Sequence, residues 1–171
     1  MIEGFTGLPG MGKTYNMTRM ALKQMKKGRK VYANYQVEGA EYFKELSDIV
    51  NVKNALILID EAGIYLPSQA FKDIPFEFIR QIRQHRHDGL DMWYTAQDMM
   101  DVATYLRRIT QMVHDFNRLG PIMTERVFNP RTKSKYGFGV YLLDKKVYTK
   151  YDTTENVDLA EFMLNKIKSK K

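Results

Sequence analysis

The sequence predicts an α/β fold: a central, mostly parallel sheet flanked by helices, with a small antiparallel β extension near the C-terminus. Three observations carry this prediction. Short apolar runs alternate with longer segments at helical spacing, the pattern of βαβ units. The run Ala55–Ile59 is apolar without interruption, as a strand covered on both faces must be. Beyond Pro121 the helical spacing gives way to alternating segments divided by turn residues.

The elements follow in order. Met1–Thr6 reads as a first strand. Lys13 to Lys27 reads as a helix, because Met17, Met20, Ala21 and Met25 recur at helical spacing, and Gly28 stops it. Lys30–Tyr35 is a second strand and Ala40–Leu46 a short helix. After the Ala55–Ile59 strand, Pro75 stands at the first turn of a helix that runs to His87 and breaks at Gly89. Leu90–Thr95 is the next strand, Asp101–Arg107 a helix, and Ile109–Phe116 a fifth strand. Thr124–Phe128, Gly139–Leu143 and Lys146–Tyr151 read as antiparallel strands at the sheet edge. A helix over Val157–Ile167 ends in a lysine-rich tail. Repeats and linker-like composition are absent, so 1–171 is expected to be one unit: a nucleotide-binding core over 1–120, then a β appendage and helix over 121–171.

Composition removes several classes of function. The 171 residues contain no cysteine, which excludes disulfides, thiol catalysis and cysteine-bound zinc. His85, His87 and His114 are too scattered for an all-histidine metal site. No apolar run approaches the roughly 20 residues of a spanning helix, and the N-terminus lacks the pattern of a signal peptide. A location in the cytoplasm is expected. Lys and Arg number 27 against 20 Asp and Glu, a net charge of +7, which favours a polyanionic partner.

Gly7-Leu8-Pro9-Gly10-Met11-Gly12-Lys13-Thr14 matches G-x-x-x-x-G-K-[ST] without deviation, between a strand and a helix. Glycines let the backbone curl so that successive N–H groups face phosphate oxygens, and the helix N-terminus adds partial positive charge. Lys13 can reach the β- and γ-phosphates, and Thr14 can offer its hydroxyl to Mg²⁺. The cradle is taken as Gly7 to Tyr15. It marks a nucleoside triphosphate site without naming the reaction.

Three further features narrow the reaction. The apolar strand ends in Asp60-Glu61, at the edge where an open α/β sheet binds ligands. Asp60 would hold Mg²⁺ through water, and Glu61 would act as general base on the attacking water. The strand Leu90–Thr95 leads into Gln97. If it lies between the first strand and the Asp60 strand, Gln97 stands beside the γ-phosphate and can orient that water. Arg80, Arg83 and Arg86 recur three apart, and Arg107 and Arg108 precede the fifth strand. An arginine supplied by a neighbouring subunit would complete the site, with Arg108 the first choice, Arg107 next and Arg86 in reserve.

Taken together, Gly7–Thr14, Ile59-Asp60-Glu61-Ala62, Arg83–Asp91, Tyr94-Thr95-Ala96-Gln97 and Tyr151-Asp152-Thr153 resemble the N-terminal ATPase domain of the zonula occludens toxin family. That family includes assembly ATPases of filamentous phages and is similar to the DNA-pumping branch of P-loop ATPases. The resemblance implies ATP and Mg²⁺ held by Lys13 and Thr14, with Asp60 on the metal side, Glu61 as base and Gln97 as sensor. It further implies a ring of subunits, a hexamer being one arrangement, and partners among phage DNA and phage coat or membrane assembly proteins. Family members at the envelope carry a membrane span after the ATPase; none is read in these residues, so the expectations are recruitment to the inner face of the membrane by a separate membrane protein, capsid loading in the cytosol, or a span beyond Lys171.

The leading expectation is an ATP-hydrolysing motor of virion assembly, driving DNA packaging or virion extrusion. Lys133, Lys135, Lys145 and Lys146 are candidate DNA contacts. Two other readings stand beside it: a small nucleoside or nucleotide kinase, and a non-catalytic, nucleotide-gated interaction module.

Overall fold

The structure is a computed structural model that describes residues 1–68 and 74–152. Strand β1 (Ile2–Thr6) leads through the glycine loop into helix α1 (Lys13–Met25), which turns at Gly28 into β2 (Lys30–Ala33). Two short strands follow, β3 (Gln36–Val37) and β4 (Glu41–Tyr42), then a 3-10 turn over Leu46–Ile49 and the buried β5 (Ala55–Ile59). A single helical turn, α2 (Ala62–Tyr65), precedes α3 (Phe76–Arg83) and β6 (Asp91–Ala96). Next come α4 (Thr104–Ile109), β7 (Met112–Leu119), β8 (Ile122–Phe128), β9 (Lys135–Leu142), a turn of helix α5 (Lys145–Tyr148) and β10 (Tyr151–Asp152).

Eight strands form one sheet in the order β4-β2-β5-β6-β1-β7-β8-β9. All pairs from β4 to β7 are parallel, and β8 and β9 add antiparallel to the β7 edge. Strand β6 therefore lies between β5 and β1, the order on which the Gln97 reading depends. Helix α1 covers one face, where Met17 and Ala21 meet Phe5, Leu56, Leu58, Trp93 and Phe116. Helices α3 and α4 cover the other through Phe78, Ile82 and Leu106 against Ile2, Ile57, Ile59 and Tyr94. Covering both faces is why β5 carries five apolar residues in a row.

Several expected elements differ. Ala40–Leu46 is not a helix. Phe43 and Leu46, three apart, both bury, but they do so through β4 and the 3-10 turn. The β4 segment is held in parallel beside β2, with Lys30 and Glu41 paired at 2.9 Å. Lys146–Tyr151 is not an edge strand. Asp144 accepts a hydrogen bond from the Lys146 amide at 2.9 Å and so caps α5, and only Tyr151–Asp152 is extended, pairing with β3. Asp101 closes a 3-10 turn rather than opening a helix, and Ile109 belongs to α4. Helix α3 stops at Arg83, so Arg86 lies past its end and does not share its face with Arg80. The predicted helix over Val157–Ile167 lies outside the described residues.

Candidate active site

Strand β1 delivers the phosphate loop to the carboxyl edge of the sheet. Gly7 has φ 142°, and a Cβ there would stand 2.7 Å from the Phe116 carbonyl oxygen, so no larger residue fits. Gly12 has φ 79° and begins α1 in the left-handed region. It offers no side chain to cap the helix, which leaves the first-turn amides for an anion. Lys13 Nζ donates to the Gly7 carbonyl at 2.9 Å and the Leu8 carbonyl at 3.2 Å, which folds the side chain over the loop. Leu8, Pro9 and Gly10 form the exposed tip. The Met11 amide bonds back to the Leu8 carbonyl at 3.2 Å. Tyr15 is fully buried, and its hydroxyl accepts from the Asp144 amide at 2.7 Å. Its side chain therefore braces α5, and what it offers a nucleotide is its backbone amide.

Asp60 stands at the end of β5, 4% exposed, next to the loop. Thr14 Oγ1 donates to Asp60 Oδ1 at 2.8 Å, and Thr95 Oγ1 donates to the same oxygen at 2.6 Å. The register pairs Ile59 with Tyr94, which brings Thr95 beside Asp60. Thr95 Oγ1 also accepts from the Glu61 amide at 2.8 Å. Asn34, just past β2, holds the Asp60 backbone from the other side. Its Oδ1 accepts from the Asp60 amide at 2.7 Å and its Nδ2 donates to the Asp60 carbonyl at 3.0 Å. Asn34 and Thr95 are functional-site residues that sequence reasoning missed. Thr95 stands two residues before Gln97 with no motif to mark it, and only strand register reveals either.

Burial raises the Asp60 carboxyl above its ordinary value, while the bonds from Thr95 and Thr14 and the charge of Lys13 act against it. Glu61 is also raised, by burial first and then by the Asp60 charge, with Lys13 opposing. A raised carboxylate is a stronger base, as proton abstraction from water requires. Lys13 is lowered by burial, against the pull of Asp60 and Glu61. Glu61 itself sits at φ 52°, a left-handed conformation that a non-glycine residue adopts only where its surroundings impose it. The Thr14 hydroxyl and the Asp60 carboxylate are hard oxygen donors, and one carboxylate with one hydroxyl suits a Mg²⁺ ion that keeps waters and phosphate oxygens as its other ligands. Among the described residues no group of three or more His, Asp or Glu could hold a metal without such help.

The ladder of β1 with β6 ends at Thr6 and Ala96, so Gln97 emerges one residue later at the same edge as Gly7, exposed. The loop, Asp60, Glu61 and Gln97 thus share one edge of the sheet. Arg108 does not. It lies in the last turn of α4, before β7 begins, at the amino edge of the sheet, and so it cannot serve the loop of its own chain. Arg107 is engaged locally, donating to Thr104 Oγ1 at 2.9 Å and to Met100 Sδ at 2.6 Å. The candidate lysines divide as well. Lys133 and Lys135 lie at the β8–β9 turn on the amino edge, and Lys145 and Lys146 lie beside α1 on the carboxyl edge. No helix among the described residues is long and apolar enough to cross a membrane.

Comparison with known proteins identifies the fold and the family. The N-terminal domain of zonular occludens toxin from Neisseria meningitidis superposes with a TM-score of 0.67 at 23% identity, over 88% of this chain and 98% of that one. The genome-packaging NTPase B204 of Sulfolobus turreted icosahedral virus 2, in complex with ATP-gammaS, matches with a TM-score of 0.56 at 13% identity, over 82% of this chain and 96% of that one. The flagellar accessory protein FlaH from Methanocaldococcus jannaschii matches with a TM-score of 0.57 at 11% identity, over 88% of this chain and 88% of that one. The fold is that of the P-loop NTPases. No curated protein matches in sequence. The family model for zonular occludens toxin (Zot) matches residues 36–155, well over half of the sequence, and the chain belongs to that family.

Proposed function

We propose that the protein is an ATP-hydrolysing motor of phage virion assembly, working as an oligomer on phage DNA in packaging or extrusion. One observation carries the reading: a phosphate loop whose Thr14 hydroxyl is bonded to Asp60 at 2.8 Å, with Glu61 the next residue. A triphosphate cradle and a metal-side carboxylate serve hydrolysis and phosphoryl transfer to other acceptors alike; a second carboxylate beside them, raised above its ordinary value, suits activation of water, which a kinase does not need. In this reading the loop amides and Lys13 bind the triphosphate. Thr14 and Asp60 would hold Mg²⁺, which would neutralise developing phosphate charge. Gln97 orients a water, Glu61 takes its proton, and the γ-phosphoryl group passes to the water oxygen as ADP leaves. Arg108, far from the loop of its own chain, serves the site of a neighbouring subunit. Similarity to the packaging NTPase and the basic surplus support DNA as the load.

Phosphate release is measured against protein concentration, with and without single- and double-stranded DNA. The motor gives release without any acceptor, at a specific rate that rises with concentration. Glu61→Gln retains ATP binding while turnover falls about 10²-fold or more, and Arg108→Ala lowers turnover while leaving ATP binding intact. Activity that depends on an added nucleoside would instead assign a kinase. Absence of turnover in concentrated wild-type protein with DNA would leave a nucleotide-gated module.

A further inference from the structure

The amino edge of the sheet carries a second cleft, of about 760 Å³. It opens where the ends of α3 and α4 meet the start of β7 and the β8–β9 turn. The five residues of β1 separate it from the phosphate loop by roughly 17 Å. Arg83, Arg86, Arg108 and Arg131 line it, with His85 and Tyr136. Among the described residues no Asp or Glu lines the cleft, and none of the four guanidinium groups forms an ion pair. The neighbouring acid, Asp91, is already held by the Met1 ammonium and by Arg29. Arg83 and Arg108 also line an adjoining cavity of about 450 Å³, so the groove continues past the cleft.

Four cations from three separate chain segments converge here without a counter-charge of the protein's own. Their mutual repulsion is relieved by an anion with several charges spaced along its length. Guanidinium forks match phosphate oxygens two at a time. One further group points to bases. The Tyr136 ring is 56% exposed while its hydroxyl accepts from Asn129 Nδ2 at 3.1 Å, which fixes the side chain and leaves ring surface open.

We propose that this cleft binds single-stranded nucleic acid, with the Arg83, Arg86 and Arg131 guanidinium groups on successive phosphates and a base against Tyr136. Stacking on an exposed aromatic ring beside a basic groove is the general mode for unpaired strands, whose bases are free to splay. The proposal extends the motor reading by giving the load a seat on each subunit, yet its test requires no turnover.

The test is fluorescence anisotropy of a labelled thymidine oligonucleotide of about 20 nucleotides, in about 50 and about 200 mM NaCl, with the full chain. Arg131→Glu and Arg86→Glu each weaken binding about tenfold or more and flatten the salt dependence. Lys145→Glu/Lys146→Glu, on the opposite edge, stays within about twofold of wild type. Binding of a fluorescent ATP analogue stays unchanged in every variant, which shows that each is folded. The proposal is overturned by absence of binding at the lower salt, by equal loss in the Lys145/Lys146 variant, or by tighter binding of a duplex of the same length. It is also overturned if Arg131→Glu abolishes turnover but spares oligonucleotide binding, since the cleft then serves a neighbour's nucleotide. Intact oligonucleotide binding without any turnover would sink the motor and leave the cleft standing.

Discussion

Strands β5 and β9 belong to one sheet, yet every residue of Ala55–Ile59 is buried and none of Lys135–Leu142 is. The parallel half is covered on both faces by α1 on one side and α3 and α4 on the other. The antiparallel extension is covered on the α1 face alone, through Phe116, Met123 and Tyr141. The candidate active site stands on the half whose strands are fixed from both sides, and there Asp60 is held from both neighbouring strands. A glycine-rich strand such as β9, with Gly137 and Gly139, holds its register less firmly, and such a strand is poorly suited to set a catalytic geometry.

Core truncation tests that contrast most severely. Leu58, fully buried on β5, touches the α1 face of the core. Leu58→Ala is expected to cost about 2–5 kcal/mol of unfolding free energy, read from the urea midpoint at unchanged slope. A loss below about 1 kcal/mol would mean that the parallel half is no more tightly packed than the extension.

His114 joins the two halves. It lies buried on β7 between Glu3 of β1, at 2.8 Å, and Glu125 of β8, at 2.6 Å, and stacks on Phe5 at 4.8 Å. Burial opposes its charge, but the bonds to Glu125 and Glu3 outweigh it and raise the pKa from 6.5 to about 9. A raised histidine stabilises the fold fully below its unfolded value and loses that contribution as pH climbs through the folded one. Stability should therefore fall by about 2–3 kcal/mol between pH 7 and pH 10, and His114→Gln should flatten the profile over that window. Melting temperatures across the range decide it. Above pH 10 ionisation of the unfolded chain's tyrosines adds its own slope, because buried tyrosines such as Tyr65 are raised to about 12.

Thr95→Val keeps the side-chain shape but removes the hydroxyl that bonds Asp60 and takes the Glu61 amide. The expected cost is about 1–3 kcal/mol, because a buried carboxylate and a strained amide each lose a partner. Thr95→Ser should recover most of it. Equal stability of the Val variant would show that Thr14 and Asn34 alone hold Asp60.

These contrasts also explain what was legible in the sequence. The phosphate loop could be read because its chemistry is local: Gly7, Gly12, Lys13 and Thr14 are needed as residue types at fixed spacing. Strand β5 could be read because burial on two faces leaves only apolar residues. Asn34 and Thr95 carried no such signal, since their roles arise from which strands are neighbours. Ala40–Leu46 misled because two buried residues three apart, Phe43 and Leu46, fit a helix as well as a strand followed by a 3-10 turn. The arginine cleft assembles from segments far apart in the chain, so the sequence offered Arg83 and Arg86 as a helix face that ends too early and Arg108 as an arginine for a neighbour's site, while Arg131 carried no signal. The family model begins at Gln36, so it matches the chain without the loop that the sequence made most conspicuous.

The smallest effect belongs to the bare face of β9. Phe138 is 68% exposed and Val140 60%, on the side of the extension away from α1. A side chain that leaves water so little gains little from folding, so Phe138→Ser should shift unfolding free energy by no more than about 0.5 kcal/mol. The comparison is sharpest when the same substitution is made at two protein concentrations. Identical midpoints at both would confirm a face open to solvent. A cost that appears only in the concentrated sample would mean that a second copy covers the stripe, and the extension would then owe its second layer to assembly rather than to its own chain.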